Sequence, residues 1–167
     1  MKITLIAKII AAAAMVSILA STASALTPQE AETILFMKQE EKLARDVYQT
    51  LHAQWGAAIF ANIAVSEQQH MDAIDGLIAR YRLKDTAPPA VGEFTYDELQ
   101  ALYEELLLKG GNSLQDALEV GVLIEETDIE DLVAALKTTR ERPVKNVFGN
   151  LLNGSRNHLA AFLKWLN

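Results

Sequence analysis

The sequence predicts an all-α fold, a four-helix bundle with one long crossover between its second and third helices. Three observations predict it. Four stretches carry an apolar seam at three-four spacing, which lies along one face of a helix. Only four Pro and eight Gly occur in 167 residues, leaving room for long helices. About thirty turn-rich residues then separate the second seam from the third, far more than a hairpin between bundle helices needs.

The first seam reads Ile34, Met37, Glu41, Ala44, Tyr48, Leu51, Trp55, and the second Phe60, Ile63, Glu67, His70, Ile74, Leu77, Tyr81. The third reads Leu114, Leu118, Gly121, Glu125, Asp128, Leu132, Ala135, and the fourth Val144, Phe148, Leu151, Ser155, His158, Phe162, Trp165. Each is apolar at both ends and polar in the middle. Because the seam must be buried, the interruptions face the core as well. Carboxylates there must be neutralised, paired or bound to a metal.

Thr27-Pro28-Gln29-Glu30 is a capping box with Pro at the first helical position, so the first helix starts there, runs to about Gln54 and stops at Gly56. The second begins between Ala57 and Phe60 and ends around Arg82, an antiparallel neighbour of the first because the turn is short. Residues 83–112 hold Pro88-Pro89, Gly92 and a short helix capped by Thr95-Tyr96-Asp97-Glu98 and ending at Lys109-Gly110-Gly111. A connection of that length returns the chain to the opposite end, as the single long crossover of ferritin-like bundles does. The third helix starts at the Ser113 cap and ends near Lys137, and the fourth runs from about Pro143 to Trp165.

Residues 1–25 stand apart. Lys2 and Lys8, the apolar run Ile9 to Ala20 and the small-x-small Ala23-Ser24-Ala25 have the layout of a cleaved secretory signal peptide. The run is short for a spanning helix, which needs about 20 apolar residues. The expected mature domain is 26–167, periplasmic or extracellular, with no membrane attachment after cleavage. It retains 15 − 2 = 13 basic and 22 acidic residues, a formal charge of −9, which argues against nucleic acid. With no cysteine, thiolate metal sites, disulfides and thiol redox chemistry are excluded.

The polar interruptions suit a metal centre. Glu67-x-x-His70 sets a carboxylate and an imidazole one turn apart on the seam, the pair by which bundle helices hold dinuclear carboxylate sites. The alternative is a histidine hydrogen-bonded to a core acid. Glu41 stands among Met37, Ala44 and Tyr48, with Arg45 as a candidate salt-bridge partner one turn on. Glu40 points about 100° away and is expected in solvent. His158 sits where a second Glu-x-x-His is expected, but its partner position holds Ser155. The acid-rich run from Glu125 to Asp131 offers Glu125 first, Asp128 next and Glu126 third, and spacing alone leaves these open. Tyr48 and Tyr81 read as core aromatics, near enough to serve as donors to the centre. His52 reads as a surface residue, and Trp55 and Trp165 as packing at the seam ends. Nitrogen and carboxylate ligands suit iron, manganese or zinc.

Four blocks together resemble the DUF2202 family of the ferritin-like superfamily: Glu41-Lys42-Leu43-Ala44-Arg45-Asp46-Val47-Tyr48, Ser66-Glu67-Gln68-Gln69-His70-Met71, Gly121-Val122-Leu123-Ile124-Glu125-Glu126-Thr127-Asp128-Ile129 and Gly154-Ser155-Arg156-Asn157-His158-Leu159. The Glu-x-x-Ala-Arg-x-x-Tyr string is also similar to the first helix of rubrerythrin-type domains, whose leading Glu is a metal ligand and maps onto Glu41. The resemblance implies a rubrerythrin-like four-helix bundle with a di-metal centre, but no reaction. Ser155 departs from the doubled Glu-x-x-His pattern.

The functional expectation is an exported metalloprotein holding two transition-metal ions, iron foremost, and handling oxygen, peroxide or ferrous iron as a di-iron oxidoreductase. The expected ligands are Glu41, Glu67, His70, Glu125 and His158, with Asp128 and Glu126 behind them. Metal ions and a small oxidant are the expected partners, and a second copy of the chain is admitted. The rivals are a non-catalytic metal carrier and a metal-free bundle whose polar seam is a hydrogen-bonded network.

Overall fold

The computed structural model describes residues 26–167, so the expected leader lies outside the described residues. These residues form five α-helices and no strand: α1 (Pro28–Trp55), α2 (Ala58–Tyr81), α3 (Asp97–Gly110), α4 (Leu114–Thr138) and α5 (Arg142–Leu166). No helix among them is long and apolar enough to cross a membrane.

Local chemistry sets most of the ends. Thr27 Oγ1 accepts from Glu30 N at 3.1 Å, and Glu30 Oε2 accepts from Thr27 N at 3.0 Å, closing the capping box. Glu30 Oε1 also accepts from Arg140 N at 2.7 Å and Thr139 Oγ1 at 3.1 Å, tying the start of α1 to the α4–α5 turn. Gly56 takes φ 67°, the left-handed C-terminal stop that glycine allows at low cost. Ser113 Oγ caps α4 through Asp116 N at 3.0 Å. The start of α3 differs from expectation: its N-cap is Tyr96, which makes no side-chain cap. Thr95 Oγ1 instead donates to Thr86 O at 2.6 Å within the crossover.

The pairs α1/α2 and α4/α5 pack most extensively, while α3 lies against α1 and α4. Two apolar clusters result. One gathers Leu43, Val47, Tyr48, Phe60, Leu106 and Phe162, and includes residues from all five helices. The other gathers Ile34, Met37, Leu77, Leu132, Val144 and Phe148 from the four long helices. Burying each such side chain contributes roughly 1.5–3 kcal/mol. Each seam thus enters one cluster, passes a polar layer at mid-length and enters the other. Gly121 makes room for this crossing, since a Cβ there would stand 2.4 Å from the Phe162 ring.

The crossover is pinned to α1. Lys42 Nζ donates to Ala90 O at 2.7 Å, to Glu93 O at 3.1 Å and to Asp46 Oδ2 at 2.6 Å. Asp46 Oδ2 also accepts from Gly92 N at 2.9 Å, and Gln39 Oε1 accepts from Thr95 N at 2.8 Å. Lys42 and Asp46 are wholly buried, yet they stand off the seam. The crossover covers that face of α1.

Candidate metal centre

The polar layer is built around Glu67. Its Oε2 lies 2.7 Å from His70 Nδ1, and its Oε1 lies 2.8 Å from His158 Nδ1. Glu41 Oε2 approaches His70 Nδ1 at 3.0 Å, and Glu125 Oε2 approaches His158 Nδ1 at 3.5 Å. Two groups follow, Glu41/Glu67/His70 and Glu67/Glu125/His158, each with ligand atoms close enough to hold one ion. They share Glu67, one oxygen to each. The imidazoles stack with centroids 5.5 Å apart and planes 28° apart. The three carboxyls are no more than 2 % exposed.

Neighbouring groups set each ligand's orientation. Tyr48 Oη donates to Glu125 Oε1 at 2.6 Å, and Ser66 Oγ lies 2.9 Å from His158 Nε2. Ser66 Oγ is placed to accept from Nε2–H, so that Nδ1 faces the carboxylates, donating its proton to them without metal and free to serve as a ligand once that proton leaves. Ser155 Oγ lies 2.5 Å from Asp128 Oδ2 and 2.9 Å from Leu151 O, the two acceptors within reach of its one hydrogen. Gly154 lets α5 approach, because a Cβ there would lie 2.5 Å from His70 Nε2.

The charges compensate only in part. Burial works against a charged imidazole, but hydrogen bonds to Glu41 and Glu67 raise His70 to about 11. His158 rises to about 9, its Glu125 and Glu67 contacts outweighing burial. Burial also opposes ionisation of Glu67, yet the two imidazoles hold it down at about 2. The other acids go the opposite way. Burial and the Glu67 charge lift Glu125 to about 8, and burial lifts Asp128 to about 7 despite its Ser155 bond. Burial and Asp128 push Glu41 well above the carboxylate range. Without metal, protons neutralise this layer.

Of the seven predicted ligands, five converge as the two groups around Glu67. Asp128 stands beside them, held by Ser155. Glu126 is exposed and takes no part, because one residue's rotation on α4 carries it to the outer face. Arg45 does not pair with Glu41. It binds Asp46 and Gln68 Oε1, leaving His70 as Glu41's partner.

Glu40, expected in solvent, has its Oε2 buried. Burial and the neighbouring Asp131 and Asp128 carboxyls raise its pKa well above the usual value. α4 closes over the edge of α1 at this level, and no spacing signal announces that. His52 is half-buried with Nδ1 3.1 Å from Ala57 O, Tyr81 donates to Glu141 at 3.1 Å away from the layer, and Trp165 is half exposed.

The DUF2202 family, described as an uncharacterized protein domain, matches residues 30–167. The chain belongs to the DUF2202 family. It is 44% identical over 143 residues to the uncharacterized protein MJ0754 of Methanocaldococcus jannaschii, covering 85% of this chain and 77% of the relative. The crystal structure of hypothetical protein MJ0754 superposes with a TM-score of 0.84 at 43% identity, covering 90% of this chain and 86% of that one. A DUF305 fragment from Deinococcus radiodurans has a TM-score of 0.63 at 14% identity, covering 85% and 97%, a likeness of fold alone. For this DUF2202 chain, the buried acid and imidazole groups are the feature that could hold metal.

Proposed function

We propose that this DUF2202 chain is an exported, ferritin-like four-helix metalloprotein whose Glu41, Glu67, His70, Glu125 and His158 hold two transition-metal ions, with iron foremost. The observation that carries this is Glu67, one oxygen in each of two ligand groups. Buried carboxylate oxygens support the fit: Glu41 Oε1 and Asp128 Oδ1 have no hydrogen-bond partner among the described residues, a costly arrangement that a cation relieves. The donor set, acids and neutral imidazoles without thiolate, suits iron, manganese or zinc. Bound iron or manganese would supply Lewis acidity and one-electron chemistry toward oxygen, peroxide or ferrous ion.

The protein's own groups have separable tasks in this reading. Glu67 bridges the two halves. Ser66 sets the tautomer of His158, Tyr48 orients Glu125, and Ser155 turns Asp128 inward, where it takes the place of the acid missing from α5. The two apolar clusters exclude bulk water above and below. Export rests on the sequence pattern of residues 1–25.

The test is elemental analysis of untagged protein loaded with ferrous or manganous ion. One to two ions per chain, with a raised melting temperature, are expected. Stoichiometry near zero with no thermal shift overturns the reading and leaves a proton-filled structural network, which the close His70 and His158 pairs to Glu67 would then account for. Metal bound without any protein-dependent oxidation of ferrous ion would make it a carrier.

A further inference from the structure

At one end of the bundle α1 begins, α2 ends and α4 passes into α5. Hydrogen bonds fix this juxtaposition: Glu30 Oε1 accepts from Arg140 N at 2.7 Å, and Tyr81 Oη donates to Glu141 Oε2 at 3.1 Å. Six cations gather there, Arg80, Arg82, Lys137, Arg140, Arg142 and Lys145, and all are exposed. The acids beside them are occupied. Glu30 is buried in the capping box, Glu32 accepts from Tyr96 Oη at 2.7 Å, and Glu141 accepts from Tyr81. Residues 26–32, 80–82 and 137–145 hold six cations and three carboxylates, a balance of +3. The rest of 26–167 holds seven cations and nineteen carboxylates, a balance of −12. A strongly acidic domain thus carries one basic end.

Helix chemistry accounts for only part of it. Arg80 and Lys137 lie in the last turns of α2 and α4, where the helix dipole favours positive charge. Arg142 and Lys145 open α5, where the dipole favours acids, and its first turn has none. Arg82 ends α2 at φ 54°, in the left-handed region that glycine occupies most easily. Local structure would prefer an acid or a glycine at these places, so the charge itself has a use.

We infer that this end is a docking surface for an anionic lipid membrane. Clusters of about four to eight Lys and Arg recognise anionic headgroups, each cation near the surface strengthening binding about five-fold. The membrane's field fades within a Debye length, about 8 Å at physiological salt. The 28 residues of α1 span about 42 Å, so the field acts on the basic end and hardly on the acidic remainder. That remainder turns the other faces away, and the domain stands end-on.

The path of the chain selects the partner. Leu26 is the first described residue and Thr27 caps α1, both at this end. Residues 1–25, with the apolar run Ile9 to Ala20, have the pattern of a leader that meets a membrane during export. The choice of a membrane therefore rests on the export reading above, and it is independent of the metal centre. Such a peripheral contact needs no spanning helix and outlasts leader cleavage, in place of the expected absence of membrane attachment.

The test uses metal-free processed chain, residues 26–167, which carries all five helices and both apolar clusters. Vesicles of phosphatidylglycerol and phosphatidylcholine in equal parts should bring it down on sedimentation, and vesicles of phosphatidylcholine alone should not. About 1 M salt, which shortens the Debye length to about 3 Å, should release it. Arg142→Gln with Lys145→Gln should weaken binding about 25-fold, two cations at about five-fold each. Arg156→Gln with Lys164→Gln, exposed cations nearer the other end of α5, changes net charge equally and should weaken it about two-fold or less. No binding to the anionic vesicles, equal effects of the two pairs, or binding that survives high salt overturns the proposal. Binding to duplex DNA or a sulfated polysaccharide as tight as to the vesicles overturns it in favour of a general polyanion site. Vesicle binding is read on purified protein and export by fractionating cells, so either can fail while the other holds.

Discussion

Ser155 on α5 donates a 2.5 Å hydrogen bond to Asp128 on α4. The sequence pattern puts a small hydroxyl where a second Glu-x-x-His expects an acid, and the neighbouring helix supplies the carboxyl. Asp128 reaches the layer from one turn beyond Glu125, so α4 contributes two acids and α5 only His158.

This pair predicts opposite outcomes for two substitutions. Ser155→Ala releases Asp128 and should weaken metal binding by about 10–100-fold, the usual effect of removing a group that orients a ligand. Ser155→Glu adds a buried carboxyl beside Asp128, whose pKa is already raised to about 7. The metal-free variant should melt lower than wild type, and metal should restore more stability to it than to wild type. Thermal melts with and without metal check both.

Metal affinity should rise with pH. Binding requires neutral imidazoles, and protons must leave His70 and His158, which hold them up to about 11 and 9. Calorimetry in buffers of different ionisation enthalpy should register proton release at pH 7. The metal-free protein should show the reverse trend in stability. The imidazole contribution is complete below the ordinary value of 6.5 and is lost as pH rises through about 9 and then 11. Glu125 and Asp128 act in the same direction: stability is lost as pH rises from their ordinary values of 4.5 and 3.8 to about 8 and 7, because over that range the unfolded chain ionises them freely and the buried site does not. Melting temperature of metal-free protein that climbs between pH 6 and 9 would contradict this assignment.

Gly154→Ala should disable the centre with little loss of helix. The added Cβ would press on His70 Nε2 at 2.5 Å, and His70 cannot retreat without breaking its contacts to Glu41 and Glu67. Overpacking of this kind costs about 1–3 kcal/mol. Circular dichroism should stay near wild type while metal occupancy falls.

Lys42→Ala should be among the most destabilising changes outside the centre. It strips a buried cation from Asp46 and from the carbonyls of Ala90 and Glu93. Removing one partner of a buried pair costs about 3–5 kcal/mol when the other is left unpaired, and the loss here should fall below that because Arg45 still bonds Asp46 Oδ1. Hydrogen exchange should quicken first at Gly92 and Thr95, whose amides bond to Asp46 and Gln39. Unchanged exchange there would mean that the crossover is held by α3 packing instead.

Much of this was legible along the chain. The capping box at Thr27, the stop at Gly56, the Ser113 cap and the three-four seams determine the helices, because they depend on contacts within one or two turns. The same periodicity determined that Glu41, Glu67, His70, Glu125 and His158 face inward near mid-helix. Only the tertiary structure decided the rest. Which α4 acids turn in depends on how that helix is rotated against α1 and α5, so Asp128 enters, Glu126 stays out and Glu40 is unexpectedly covered. Lys42 and Asp46 are buried by residues some fifty positions away. Helical period reports which residues share a face. It carries no information on what a distant segment lays over that face, as the crossover does over the Lys42–Asp46 pair.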